Sequence, residues 1–170
     1  MNTPTLDLPQ VTADYKRAMR RLAATVTIIS TADMQGRRHG MTATAVSSVS
    51  MDPPSLLICV NRSASIHDPL LARERFAVNV LSTDHEALVA AFGGQLKGDE
   101  RFAVGPWRQH EGDVPYLEDA QSSMFCDVVN VVSFGTHSIV IGRVTEVKVK
   151  DAVHPLVYAD GQLGATAPLA

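Results

Sequence analysis

Six runs rich in β-branched and aliphatic residues succeed one another along this chain, mostly with no helix between them. Residues 26–31 are β-branched, the Gln35-Gly36 pair reads as a turn, and 38–50 is expected to return antiparallel. Asp52-Pro53-Pro54 breaks that run, and 55–60 is a continuous apolar strand. Residues 76–81, 124–133 and 137–150 follow, the last two joined around Phe134-Gly135-Thr136. Parallel neighbours need long crossover connections, usually helical, so the sheet is expected to be largely antiparallel. Six or more strands with few helices predict a mainly β, barrel-type architecture.

The helical signals are few. Thr12 is placed to cap a helix running to about residue 24, with Tyr15, Ala18, Met19 and Leu22 at helical spacing and Lys16, Arg17, Arg20 and Arg21 on a solvated face. Ser65-Ile66-His67-Asp68 and Thr83-Asp84-His85-Glu86 both match a capping box. The first opens a short helix to about residue 73, and the second a helix that stops at Gly93-Gly94. Residues 95–118 lack clear periodicity, and a loop this long is usually functional or mobile. Its acidic neighbourhood, Glu100, Glu111, Asp113, Glu118 and Asp119, reads as surface.

Size and charge limit the class of function. The 170 residues suit one domain over 1–170, with 1–10 a flexible lead-in. A chain of that length buries about 70% of its unfolded surface. Hydrophobic residues make up 45%, charged residues 19%, and the net charge is -3, which argues against nucleic acid or an anionic membrane as partner. No apolar run is long enough to span a bilayer as a helix. The N-terminal residues lack the basic-then-apolar order of a signal peptide, so a cytoplasmic location is expected. Cys59 and Cys126 each sit in an apolar strand and read as buried thiols in a reducing compartment. The histidines show no metal-ligand spacing, so no metal is expected. A G-x-G-x-x-G after a strand and a G-x-x-x-x-G-K-[ST] loop are both missing.

One strand is unusual. In GMTATAVSSVS, residues 40–50, Thr42, Thr44, Val46, Ser48 and Ser50 would share one face and Met41, Ala43, Ala45, Ser47 and Val49 the other. Small side chains on both faces pack poorly, but they let a flat polar ligand approach backbone and hydroxyl donors. Asn61-Arg62-Ser63-Ala64-Ser65 follows the next strand, and a helix starting at Ser65 would add its positive dipole, which together make an anion site. The plain alternative is an edge strand facing water, since threonine is a good strand former.

GMTATAVSSVSMDPPSLLICVNRSAS at 40–65 resembles the flavin-binding core of the short-chain flavin reductases, the reductase components of two-component monooxygenases. FAVNVL at 76–81, FGGQLKGDERF at 92–102, GTHSIVIGRV at 135–144 and PLVYADGQL at 155–163 resemble further motifs of that family, in its order. The resemblance covers roughly residues 15–163. It implies an antiparallel FMN-binding split barrel of Greek-key type, usually a homodimer, that reduces FMN or FAD with NADH or NADPH and supplies a partner monooxygenase. Two positions depart from the pattern: Thr136 stands where the family often has aspartate, and Leu163 where an aromatic is common.

The resemblance also implies a site. Thr42, Ala43, Thr44, Ala45, Val46, Ser47 and Ser48 would line the isoalloxazine and ribityl chain. Asn61, Arg62, Ser63 and Ser65 would hold the phosphate end. Phe92 and the 93–102 loop would approach the flavin, with Arg101 as a phosphate or adenine contact. His137 would orient the cofactor or hydrogen-bond the nicotinamide or flavin, against the alternative of a plain turn histidine. Tyr158 is either a core aromatic or a wall of the nicotinamide pocket. Hydride transfer asks the protein for a slot and an orientation rather than a nucleophile. Two other readings stay open at this level: a flavin carrier or sensor without turnover, and a barrel for another flat ligand such as haem.

Overall fold

The computed structural model describes residues 8–111 and 114–169; residues 1–7 of the expected lead-in, and Asp113, lie outside them. The barrel is built from β2 (Thr27–Ala32), β3 (Arg38–Ala43), β4 (Val46–Met51), β5 (Pro54–Asn61), β6 (Arg75–Val80), β9 (Ser122–Phe134) and β10 (His137–Val149). These seven strands form one sheet in the order β3-β2-β6-β9-β10-β5-β4, and every adjacent pair is antiparallel. Its two edges, β3 and β4, are consecutive in the chain with only Thr44 and Ala45 between them. That link spans at most about 11 Å, so the edges meet and the sheet curls into a barrel. A short sheet of β1 (Ala24–Thr25), β11 (Leu156–Ala159) and β12 (Gln162–Ala165) stands beside it, as does the hairpin β7 (Trp107–Gln109) and β8 (Pro115–Leu117).

β2 is buried along its whole length, which explains why its sequence, apart from Ser30, is apolar or β-branched rather than alternating. Ile29 faces the barrel interior with Ile58, Phe76, Val78 and Val140. Ile28 faces the opposite layer, where Leu81, Leu88, Phe92, Phe102 and Leu117 pack. Gly40 is required by that outer layer: a Cβ there would lie 2.6 Å from the Phe92 ring.

Asn79 joins the two layers. Its amide nitrogen donates to the Ile28 carbonyl at 3.0 Å and to Ser30 Oγ at 2.9 Å. Its oxygen accepts from the Leu117 N–H at 2.9 Å and from Ser123 Oγ at 3.0 Å. All four bonds an asparagine amide can make are present, and the residue is wholly buried. Asn79→Ala leaves several buried groups without partners, so it is expected to cost about 3 kcal/mol. Urea unfolding of the two proteins checks this, and a loss below about 1 kcal/mol contradicts it.

Helix α1 runs Leu8–Met19, earlier than the 12–24 expected, and the lead-in is already helical from Leu8. Thr12 does not cap it; its hydroxyl donates back to the Leu8 carbonyl. The helix stops short because Ala24 and Thr25 pair with β11 instead. Arg20 and Arg21 are not merely solvated: both lie 3.5 Å from the Asp160 carboxylate in the β11–β12 turn.

Neither expected capping box forms where the pattern placed it. Helix α2 is His67–Arg73 with Ile66 at its cap and no side-chain capping bond, so Ser65 does not open it. The second box sits one residue upstream, between Ser82 and His85. It opens a 3-10 turn, Thr83–His85, that leads into α3 (Glu86–Ala90), and a wider turn carries the helical path to Gln95. The 95–118 stretch is not a structureless loop: it holds the 3-10 segment Gly98–Ala103 and the β7–β8 hairpin.

The β2–β3 turn is organised by Asp33. One carboxylate oxygen accepts the N–H groups of Gln35 and Arg37 at 2.9 Å each, and the other accepts Arg37 Nε at 2.7 Å. Burial opposes the charge, but these bonds and His39 outweigh it and hold the carboxyl well below the usual range. A depressed folded pKa stabilises above the unfolded value, about 3.9, and that stability is lost as pH falls through the lower folded value. The Tm gap between wild type and Asp33→Asn is therefore expected to be full at pH 7 and to narrow below about pH 4. Thermal melts at a series of pH values test this; a gap that widens in acid contradicts it.

Candidate functional site

The hydroxyl-rich run does not keep the strict two-face alternation that its sequence suggests. It kinks at Thr44-Ala45, where β3 ends and β4 begins, and shifts register between Ser48 and Ser50. β3 and β4 are edge strands, so the edge-strand alternative describes their place in the sheet. The backbone is nonetheless tied into the barrel on both sides of the kink. The Ala45 carbonyl accepts the Cys59 N–H at 3.1 Å, and Thr27 Oγ1 donates to the Ala43 carbonyl at 2.7 Å.

Ala43 is buried, whereas Thr44, Ala45, Ser47 and Ser48 are exposed. Thr42 Oγ1 turns to the Val89 carbonyl at 3.3 Å, and Ser47 Oγ lies 3.3 Å from the Ser48 carbonyl. The hydroxyls of Thr44 and Ser48 have no partner among the described residues. At the kink opens a cavity of about 400 Å³ lined by Ala23, Ala24, Thr25, Thr27, Thr44, Val46, Val80 and Met124. It is walled by small apolar and hydroxyl groups, with no charged side chain among them. Such a slot fits the edge of a planar, uncharged ring system. Ala23, Ala24 and Thr25 were not among the site residues expected from sequence, because 12–24 reads as a helix and none of the three belongs to a motif.

Asn61, Arg62, Ser63 and Ser65 gather at the end of β5, beside the first residue of β10. Asn61 and His137 are paired across the two strands. The Asn61 side-chain oxygen accepts the N–H and the hydroxyl of Ser63, both at 2.9 Å, which folds 61–65 into a tight turn. The Arg62 N–H donates to the Thr136 carbonyl at 3.0 Å, and its guanidinium to the Gly135 carbonyl at 2.6 Å. Most of its five N–H donors are left for other partners. His137 is exposed, with Nδ1 2.9 Å from Thr136 Oγ1. The helix dipole expected at Ser65 is weak support, since α2 starts at His67 and has seven residues.

Other expected site residues lie elsewhere. Phe92 does not line the slot: it is buried against Phe102 and Trp107, with ring centroids 5.1 Å from each. Arg101 is tied down, donating to the Leu96 carbonyl at 2.9 Å and the Gly40 carbonyl at 2.6 Å. Tyr158 is 40% exposed and pairs across strands with Ala24 of the slot wall. It stands at the rim rather than in the core.

A larger cavity, about 860 Å³, lies at the other end of β3 beside Arg37, Arg38, His39, Trp107 and Arg108. Its arginines are already neutralised by Asp33, Asp99 and Glu118, and the Arg38 guanidinium holds the Asp99 carboxyl below its ordinary range. Cys126 offers no chemistry either, because burial, aided by the Asp127 charge, pushes its thiol up to about 12. Cys59 is half-buried, and both cysteines are free thiols. Among the described residues no cluster of three or more His, Cys, Asp or Glu could hold a metal ion.

The model of the flavin reductase like domain matches residues 19–167, which include the kink, the slot, the 61–65 turn and His137. The chain belongs to the flavin reductase family. It is 44% identical over 156 residues to the reductase component of the FADH(2)-dependent resorcinol hydroxylase of a Rhizobium strain, covering 91% of this chain and 87% of that one. It is 45% identical over 148 residues to the FMN reductase (NADH) RutF of Variovorax paradoxus, covering 87% and 82%. In three dimensions this flavin reductase fold superposes on the NADH:FAD oxidoreductase SgcE6 of Streptomyces globisporus with a TM-score of 0.86 at 27% identity, over 100% of this chain and 96% of that one. The mainly antiparallel split barrel expected from the sequence is the architecture of this flavin reductase.

Proposed function

We propose that this chain is an NADH-dependent flavin reductase that takes FMN or FAD, reduces it by hydride transfer, and passes the reduced flavin to a partner monooxygenase. The observation that carries the reading is the kink at Thr44-Ala45. There an uncharged slot opens next to unpartnered hydroxyls, and β4, which leaves the kink, pairs with β5, whose other neighbour is β10; the β5–β10 end presents Arg62 and His137. The bound flavin supplies the hydride-accepting ring. The chain's own part is to hold that ring flat and to shed water from its buried side. Thr44 and Ser48 offer hydroxyl donors to its polar edge. Asn61 shapes the turn from which Arg62, Ser63 and Ser65 reach the phosphate. His137 orients the nicotinamide amide or the flavin edge, and Tyr158 forms the rim on the far side. Phe92 and Arg101 act at a distance, fixing the 93–102 loop against Gly40.

The same reading treats 1–170 as one domain, located in the cytoplasm, where the free thiols Cys59 and Cys126 stay reduced. Among the described residues no helix is long and apolar enough to cross a membrane. A homodimer is supported by exposed apolar residues on the projecting end of β9: Val129, Val131, Val132 and Phe134. NADH is favoured over NADPH by the name of the RutF relative.

Initial rates with NADH or NADPH, each with FMN or FAD, test the activity. NADH oxidation is expected to rise with added flavin and to saturate. NADH oxidation that stays at the buffer rate with both flavins contradicts the proposal.

A further inference from the structure

We infer that His67 is a positioning residue for the reduction, acting on His137 through Ser138. This rests on the reading of His137 as the group that meets the nicotinamide or the flavin. Residues 129–137 are all exposed, so His137 sits on a hairpin end that projects from the barrel. Ser138 is the first buried residue after that exposed stretch, at 1% exposure. Successive strand side chains point to opposite faces, so Ser138 turns inward at the point where His137 turns outward.

Beneath it lies His67, the first residue of α2, 9% exposed. Its Nε2 is 3.0 Å from Ser138 Oγ, and its Nδ1 is 2.6 Å from Asp68 Oδ1. An ionised carboxylate only accepts, so Nδ1 carries a proton and donates to Asp68. In the neutral ring Nε2 then accepts the Ser138 hydroxyl proton. Because Asp68 is solvent-exposed while Ser138 is not, the imidazole is held from the surface and grips the strand from below. On the other flank of His137, Arg62 holds the carbonyls of Gly135 and Thr136. The segment 61–67 thus clamps 135–138 from two sides. His67 is too buried to meet a substrate, and its effect must pass through the strand.

The test uses the full chain and measures kcat, the KM for NADH, the flavin Kd by fluorescence, and Tm. Ser138→Ala removes one oxygen, and His67→Leu removes both ring nitrogens. Each is expected to lower kcat/KM for NADH about 10-fold, as small displacements of an orienting group do, with the flavin Kd little changed and Tm lowered by the buried partner left unpaired. His67→Gln, which can place an amide near the Nε2 position, is expected to recover most of the loss. The deciding measurement is Ser138→Ala made in a His137→Ala background, where no further loss is expected because the group being positioned is gone. The same 10-fold loss in that background shows a purely structural role and overturns the proposal. So does a Ser138→Ala single variant with unchanged kcat/KM while His137→Ala is impaired, and that result leaves the reading of His137 standing. If His137→Ala is itself unimpaired, both fall. Should His67→Leu fail to fold, Ser138→Ala carries the test alone.

Discussion

Thr44→Phe is expected to raise the flavin Kd about 100-fold, or about 2.7 kcal/mol of binding free energy, while Tm stays close to wild type. Thr44 sits at the junction of the two sheet edges and lines the cavity of about 400 Å³. A phenyl ring there occupies space that a planar ligand needs and removes an unpartnered hydroxyl from its edge. The fold tolerates the change, because the position is exposed and lies in the two-residue link outside both strands. Thr44→Ser keeps both the space and the hydroxyl, so its Kd is expected to stay within about threefold of wild type. Fluorescence titration of both variants checks the pair. Equal affinity in the phenylalanine and serine variants would move the ring away from the kink.

His137→Ala is expected to lower kcat/KM for NADH about 30-fold, a loss of about 2 kcal/mol in transition-state stabilisation. Hydride transfer is steeply dependent on the approach of donor to acceptor, and an orienting hydrogen bond contributes through geometry rather than through proton transfer. The imidazole lies outside the slot cavity, at the hairpin end held by Arg62, so the flavin Kd is expected to change little. Stopped-flow flavin reduction with NADH separates the two parameters. A raised flavin Kd with an unchanged reduction rate would assign His137 to flavin binding instead. Thr136, in place of the aspartate common in the family, gives His137 Nδ1 a neutral hydroxyl neighbour at 2.9 Å.

The strands were legible because burial on one or both faces leaves a plain pattern. Thr27–Ala32, Pro54–Asn61, Arg75–Val80, Ser122–Phe134 and His137–Val149 each match an apolar or β-branched run. Less legible was the break at Thr44-Ala45, since the alternation of residues 41–50 runs through it without interruption. Closure of the barrel is a long-range event, set by where β3 and β4 find their partners. The capping boxes misled because Ser65 and Thr83 have neighbours that compete: Asn61 organises the turn before α2, and Ser82 finds His85. The short β7–β8 hairpin carries too few residues for periodicity to register; it is held by Asn79 and by Ser30, whose hydroxyl donates to the Pro115 carbonyl at 2.6 Å.

The site was less visible than the fold. Residue spacing alone left the Thr/Ser run as an edge strand, and only the motif resemblance pointed to a ligand. No local pattern brings Arg62 to Gly135, 73 residues away, or His67 to Ser138. Phe92 and Arg101 belong to a recognisable motif, yet their side chains are engaged by Phe102, Trp107, Leu96 and Gly40. A motif marks a segment of chain; packing decides which of its side chains face inward.

The central claim is that a flat cofactor ring rests on the small side chains where β3 passes into β4. A crystal structure of the protein soaked with FMN tests it most directly. The account predicts the ring stacked over residues 42–48 with its phosphate at Arg62, Ser63 and Ser65. Density for the ring in the basic cavity beside Arg38 and Trp107, or a kink covered by the chain itself, would contradict it.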